Sequence, residues 1–409
     1  KISAAMDEIG DVDGGQFGTS GNDTIMGSAR GDAIDGLAGN DVINGLGGND
    51  RLFGGPGTDT LNGGDGMDIL EGGAGADSLD GGAGEDTASY AGSNAAVTID
   101  LNNPTTASGG HATGDTLNRI EHLVGSNFDD SLTGGTGNNT LRGGGGNDDI
   151  FGGNGVDTLL GESGDDKLFG NNSGDFLFGG DGNDTLDGGS GVDYLQGEAG
   201  DDIFIGSLGN DSFFGGDGSD TVDYSAGDNK LEIDLASGEA ERGSSRDDLS
   251  SIENVIAGGG NDIIIGNDAD NRLQGGIGND DLTGAAGNDT LVYVSTDDIT
   301  HFATDTARGD TGTSDRIFGF DSGSDTLEFD GAAFDVSETI DFFTITDAYD
   351  GNISDDIEAE IPTGGFFIYS TADNTLYYDN ANNDNNGYYI VATVETGDAI
   401  AADDLTAAA

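Results

Sequence analysis

Aspartate returns at every ninth position over long stretches of this sequence. The first stretch holds Asp23, Asp32, Asp41, Asp50, Asp59, Asp68, Asp77 and Asp86. The interval resumes with Asp130, Asp148, Asp157, Asp166, Asp175, Asp184, Asp193, Asp202, Asp211 and Asp220, and again with Asp262, Asp280 and Asp289. Asn139 and Asn271 occupy two further positions of the same series. A carboxylate is a hard oxygen donor, and calcium takes six to eight oxygens from carboxylates and backbone carbonyls in a forgiving geometry. A carboxylate at a fixed interval is therefore a ladder of ligands, and these 21 aspartates are the candidate calcium ligands.

The ladder is one position of a longer unit, G-G-x-G-x-D-x-U-x with U apolar, as in Gly36-Leu-Ala-Gly39-Asn-Asp41-Val-Ile43-Asn44. Eight units cover 18–89, eleven cover 125–223 and four cover 257–292, which makes 23. Position 8 is apolar throughout, from Ile25, Ile34 and Ile43 through Leu168, Leu177, Leu186 and Leu195 to Leu291, with Ala88 the smallest. Glycines at positions 1, 2 and 4 open backbone angles closed to other residues. A three-residue x-U-x strand points its middle side chain to one face. Such units predict an all-β chain with a thin, continuous core fed from two sides.

The pattern resembles the RTX (repeats-in-toxin) family, whose calcium-binding signature it is. The resemblance implies that G-G-x-G-x-D forms a turn and x-U-x a strand. Two repeats then make one coil of a right-handed parallel β-roll, a β-solenoid in three runs. Same-side aspartates would stack about 5 Å apart, costing roughly 1–3 kcal/mol per neighbouring pair without the ion. Summed along three runs, that repulsion exceeds the roughly 5–15 kcal/mol stability of an ordinary domain. The metal-free chain is therefore expected to be unfolded, with calcium binding and folding as one equilibrium. Extracellular calcium modules typically work at about 0.1–1 mM, and the resemblance implies export through a one-step type I channel.

Composition sharpens the expectation. There are 79 acidic against 12 basic residues, a formal charge of −67, and no cysteine. Without the repeat, such a chain would read as a self-repelling disordered polymer. The charge disfavours nucleic acid and anionic membranes as partners and favours cations. No apolar run is long enough for a transmembrane helix, and Lys1 to Gly10 lack the apolar core of a signal peptide. Lys1 in place of an initiator methionine points to a processed or partial chain.

The expected organisation is an N-terminal segment 1–17, repeat runs 18–89, 125–223 and 257–292, inserts 90–124 and 224–256, and a β-rich capping and secretion domain 293–409. The inserts look like copies. Asp86, Tyr90, Ile99-Asp100-Leu101 and Ile120-Glu121-His122-Leu123 match Asp220, Tyr224, Ile233-Asp234-Leu235 and Ile252-Glu253-Asn254-Val255. Both read as widened coils with extra strands, structural rather than ligand-binding. In the last segment, Asp315 to Leu327 and Leu376 to Thr393 resemble the regions that follow the repeats in RTX exoproteins. Asp379 and Asp384 there are a polar hairpin loop or a further calcium site, and the ending Asp403 to Ala409 departs from the apolar finish of the family's secretion signal.

Catalytic patterns are missing. His111, His122 and His301 have no zinc-pair spacing, and no serine completes G-x-S-x-G. Thr136 alone puts threonine at position 3, which sets aside an ice-binding face. Outward positions of the second run align Leu160, Phe176, Phe178, Tyr194 and Phe214 on one face and Phe151, Phe169 and Ile205 on the other. These stripes mark an interface or are covered by the inserts or cap. The expected function is a non-enzymatic, secreted calcium-binding structural protein of a surface layer, matrix, filament or adhesin, self-associating or binding cell-surface components. The alternative is the calcium-dependent secretion module of a larger exoenzyme such as a protease, lipase or alginate epimerase; a pore-forming toxin fragment is weakened by the lack of apolar helices.

Overall fold

The computed structural model describes residues 15–278 and 280–293, followed by eight strands: Thr300–His301, Asp315–Phe318, Thr326–Asp330, Asp341–Ile345, Phe366–Ser370, Thr375–Asp379, Tyr389–Val394 and Leu405–Ala408. The first 14 residues, Asp384 and the residues between these late strands, including part of the expected secretion signal, lie outside the described residues. The chain divides into two compact units, 1–218 and 219–409. Both are all-β and built on parallel solenoid coils, with antiparallel strands added in the second, and the single turn of 3-10 helix at Gly110–Ala112 is the one helical segment among the described residues.

In the first unit, strands pair in parallel at an offset of 18 residues, or two repeats per coil. Ile34, Leu52, Leu70 and Ala88 stack in one wall. Ile25, Ile43, Leu61 and Leu79 stack in the other. All but Ile25 are 0% exposed. The second run continues the pattern with Leu132, Ile150, Leu168, Leu186 and Phe204 facing Leu141, Leu159, Leu177, Leu195 and Phe213. Phe204 and Phe213 meet across the core at 5.7 Å between ring centres. Each fully buried leucine contributes roughly 1.5–3 kcal/mol, so one apolar residue in nine suffices because every one is used.

Inside the first two runs most strands are longer than x-U-x. Arg51–Pro56 and Ile69–Ala74 each span six residues, and pairing includes Gly55 on Gly73 and Pro56 on Ala74. The first half of each turn is thus hydrogen-bonded to the turns stacked on it. Three-residue strands persist at run ends, such as Thr24–Met26 and Ala33–Asp35.

The first insert breaks one wall and spares the other. Thr87–Ser89, His122–Val124 and Thr140–Gly145 stack without interruption. Opposite them, Thr116–Asn118 pairs back onto Ser78–Asp80, whereas Thr98–Asp100 pairs forward onto Ser131–Thr133. The wall is handed from one strand to another within the insert. In the second unit, Thr221–Asp223, Asn254–Ile256 and Arg272–Gln274 form the unbroken wall. Leu231–Asp234 pairs forward onto Ile263–Ile265, with Glu239–Arg242 and Ser245–Ser250 added as an antiparallel meander. Beyond the last repeat, Thr290–Tyr293 continues in parallel to Thr326–Asp330 and then to Leu405–Ala408, with Leu327 fully buried.

Candidate calcium sites

Most ladder aspartates divide their carboxylate between two tasks. One oxygen accepts a backbone N–H from the ladder residue one coil earlier. Asp23 donates to Asp41 Oδ1 at 2.8 Å, Asp41 to Asp59 at 2.7 Å, Asp148 to Asp166 at 2.7 Å and Asp262 to Asp280 at 2.7 Å. The second oxygen is different. In each ladder aspartate from Asp41 to Asp86, from Asp148 to Asp193, and in Asp262, Oδ2 is buried and receives no hydrogen bond from the protein. A buried carboxylate oxygen without a partner is costly unless a cation compensates it.

These oxygens face the position-1 glycines. A Cβ on Gly54 would lie 2.5 Å from Asp59 Oδ2 and 2.5 Å from the Gly72 carbonyl oxygen of the next coil. On Gly170 it would lie 2.5 Å from Asp175 Oδ2 and 2.7 Å from Gly188 O, and on Gly36 2.6 Å from Asp41 Oδ2 and 2.8 Å from Gly54 O. A carboxylate and a carbonyl thus converge beside each of these position-1 glycines, where any side chain would collide with them. The donor set is oxygen only, as a hard cation requires. Among the described residues no three acidic or imidazole side chains cluster, so a metal held here draws on backbone carbonyls from stacked turns. The residues fit calcium.

Electrostatics agree. Burial pushes Asp148 up to about 8, further raised by Asp166 and Asp130 and opposed by the Asp130 N–H. Burial likewise carries Asp50, Asp166 and Asp175 to about 7. Asp59, Asp77, Asp86, Asp184 and Asp262 rise to about 6, again chiefly through burial. Without a cation, the ladder holds its charge with difficulty.

The family model of the RTX calcium-binding nonapeptide repeat matches residues 17–52, 53–88, 124–159, 160–195, 196–231 and 256–291, more than half of the chain. The chain belongs to the RTX calcium-binding repeat family. No curated protein matches it. RTX nonapeptide repeats bind calcium.

Not every RTX turn here has the bare oxygen. In the entry units of the first two runs the position-2 residue donates to it: Thr19 N–H to Asp23 Oδ2 at 2.6 Å, Ser28 N–H to Asp32 Oδ2 at 2.6 Å, and Ser126 N–H to Asp130 Oδ2. In most bare turns the position-2 backbone is left-handed, even without glycine: φ is 74° at Leu37, 81° at Leu46, 78° at Glu162 and 75° at Asn171. Leu37 N–H then donates to Asp35 Oδ1 at 2.9 Å instead. Left-handed non-glycine residues carry a local cost of about 1 kcal/mol or more, accepted at the turns whose aspartate oxygen is left free.

A second ladder escaped the sequence reading. Position-5 side chains accept the N–H of the next coil: Asn22 from Asn40 at 2.9 Å, Asn40 from Thr58 at 3.0 Å, Asn147 from Asp165 at 3.0 Å and Asp165 from Asn183 at 2.9 Å. Its signal was the recurring Asn-Asp pair, visible at 22–23, 40–41, 49–50 and 183–184. Asp187, at position 9, is half-buried and caps Gly189 N–H at 2.9 Å, so it is not the water-facing acid its position suggests. Asp100 and Asp234 cap local turns in the inserts.

Proposed function

We propose that the chain is an extracellular structural protein whose solenoid is assembled and stiffened by calcium, with the ladder aspartates as ligands. The observation carrying this reading is the row of buried Oδ2 atoms from Asp41 to Asp86 and from Asp148 to Asp193, beside position-1 glycines and the carbonyls of stacked turns. Calcium would supply the positive charge that lets these carboxylates stack. The protein's own residues do the rest: Oδ1 ties successive coils together, position-1 glycines keep the cradle open, and position-8 residues close the core. Export in a loose state through a type I channel, followed by folding outside, is the route that fits. Among the described residues no helix is long and apolar enough to cross a membrane.

A structural role rather than an enzyme's accessory module is favoured by the outward aromatic stripe of the second run. Phe176 and Phe178 lie 6.2 and 5.9 Å from Tyr194, which lies 4.9 Å from Phe214, and Phe176 is 46% exposed. On the other wall Phe151 stacks on Phe169 at 4.9 Å. Such continuous rows suit contact with a second copy or a cell-surface component. The central test is far-UV circular dichroism during a calcium titration. The β signal should vanish with EDTA and return near millimolar calcium; full β signal in EDTA would sink the proposal.

A further inference from the structure

The ladder is broken at specific coils, and there the chain supplies hydrogen-bond donors of its own where the other turns leave a carboxylate oxygen bare. Asp130 is the clearest case. Its Oδ2 accepts Ser126 N–H, and its Oδ1 accepts Ser126 Oγ at 2.9 Å and Val97 N–H at 2.6 Å. One coil later, Asp148 accepts only the Asp130 N–H, at 2.7 Å on Oδ1, and its Oδ2 is bare. The two asparagines of the series follow the same rule. Asn139 Oδ1 accepts Gly135 N–H at 2.7 Å while its Nδ2 donates to Glu121 O at 2.6 Å. Asn271 Oδ1 accepts Asn267 N–H at 2.8 Å while its Nδ2 donates to Glu253 O at 2.8 Å.

The inserts repeat this substitution with a different donor. Asp115 takes the ladder place after Asp77, accepting its N–H at 2.8 Å, and its Oδ2 receives the Tyr90 hydroxyl at 3.0 Å. In the second insert Asp247 Oδ2 receives the Tyr224 hydroxyl at 2.8 Å. Both tyrosines are about 2% exposed. Glu121 and Glu253 reach the N–H of Asp86 and Asp220 at 2.9 and 3.0 Å, filling the ladder place on the unbroken wall. An N–H or O–H aimed at the oxygen puts the positive end of a dipole where a cation would bind, and it satisfies the group without one.

We infer that the turns of Asp23, Asp32, Asp130, Asn139 and Asn271, together with the Tyr90–Asp115 and Tyr224–Asp247 pairs, hold no calcium, so that bound calcium is confined to turns whose aspartate oxygen the protein leaves uncapped. This inference rests on the calcium-ladder reading above and narrows it. Position 2 marks the difference in most turns. Its backbone is left-handed at Leu37, Leu46, Glu162 and Asn171, where the aspartate oxygen is bare, and its N–H points inward at Thr19, Ser28 and Ser126, where it is capped, while bare Asp262 has Gly258 outside the left-handed region.

Native mass spectrometry of the full chain at saturating calcium counts the ions directly, with circular dichroism reporting folding. Asp130→Asn and Asp32→Asn should retain the wild-type count. Asp175→Asn, which alters a bare turn, should lose at least one ion. Equal losses in Asp130→Asn and Asp175→Asn would overturn the inference. If Asp130→Asn fails to fold, Asp32→Asn and Asp23→Asn decide the matter by the same count. A wild-type protein that binds no calcium would instead remove the underlying ladder reading, so the two failures are distinct.

Discussion

Asp130 donates its backbone N–H to Oδ1 of Asp148 at 2.7 Å, and the other oxygen of Asp148 is left buried and bare. That single hydrogen bond does not offset burial, and the Asp148 carboxyl rises from 3.8 to about 8, with Asp50, Asp166 and Asp175 at about 7. The metal-free fold therefore binds more protons than the unfolded chain between these values and 3.8. The linkage sign follows: this contribution favours the fold fully below about 4 and is lost as pH rises through about 6 to 8. In EDTA, acidification from pH 8 to about 5 should recover part of the β signal. With calcium present the dependence inverts, because the ion displaces those protons. Calorimetry in buffers of different ionisation enthalpy should show proton release when calcium is added to the acid-refolded chain near pH 5, and little release when it folds the unfolded chain near pH 7, where the unfolded carboxylates are already ionised.

Asp184→Ala should weaken the roll far more than removal of a surface acid. It strips the Oδ1 that accepts the Asp166 N–H at 2.8 Å and the bare Oδ2 beside Gly179. The stranded N–H alone costs about 1–3 kcal/mol, before any ligand is lost. Asp149→Asn is the control, since Asp149 is exposed and meets only Lys167 at 3.9 Å. The calcium midpoint should rise clearly for Asp184→Ala and stay near wild type for Asp149→Asn. Matching midpoints would mean that the ladder register is misassigned.

Tyr90→Phe removes one hydroxyl and leaves Asp115 Oδ2 buried without its donor. Asp115 already sits at about 6 because of burial, partly offset by the Asp77 N–H and this hydroxyl. Loss of the bond should cost about 1–3 kcal/mol, read as a lower denaturant midpoint of the calcium-loaded protein. Tyr224→Phe should behave alike through Asp247. No effect in either variant would mean that the hydroxyls are structurally idle.

Much of this was legible beforehand. The period of nine is half of a coil, so position 8 alone fixed the core, down to Ala88, which is buried on Leu70. The aspartate interval exposed the ladder in the same way. What periodicity could not reveal is the orientation of single peptides. Thr19 and Ser28 cap their aspartates, yet Leu37 and Leu46 in the same position are left-handed and do not. The three position-2 residues that cap an aspartate, Thr19, Ser28 and Ser126, all carry a hydroxyl, a signal that lies outside the period of nine. The inserts were recognisable as copies through Tyr90 and Tyr224, but their partners Asp115 and Asp247 lie 25 and 23 residues away in irregular chain. Neither carries a motif of its own.

The aromatic stripe supplies the last prediction. Phe178, Tyr194 and Phe214 belong to strands Phe176–Asp181, Tyr194–Ala199 and Ser212–Asp217, which stack in parallel register. Their rings form one surface only because the coils are stacked, and in this reading stacking depends on calcium. Calcium also lowers the charge that keeps chains of formal charge −67 apart. Both effects should drive association in the loaded state. Phe178 and Phe214 are half-buried on the outer face, whereas their neighbours Leu177 and Phe213 are 0% and 1% exposed in the core. Replacing Phe178 and Phe214 with serine should therefore abolish assembly and leave the calcium-induced β signal nearly unchanged. Light scattering with and without calcium measures the first, and circular dichroism the second. A wild type that stays monomeric at high calcium and high concentration, or a double variant that assembles equally well, would show that the stripe is not the contact surface.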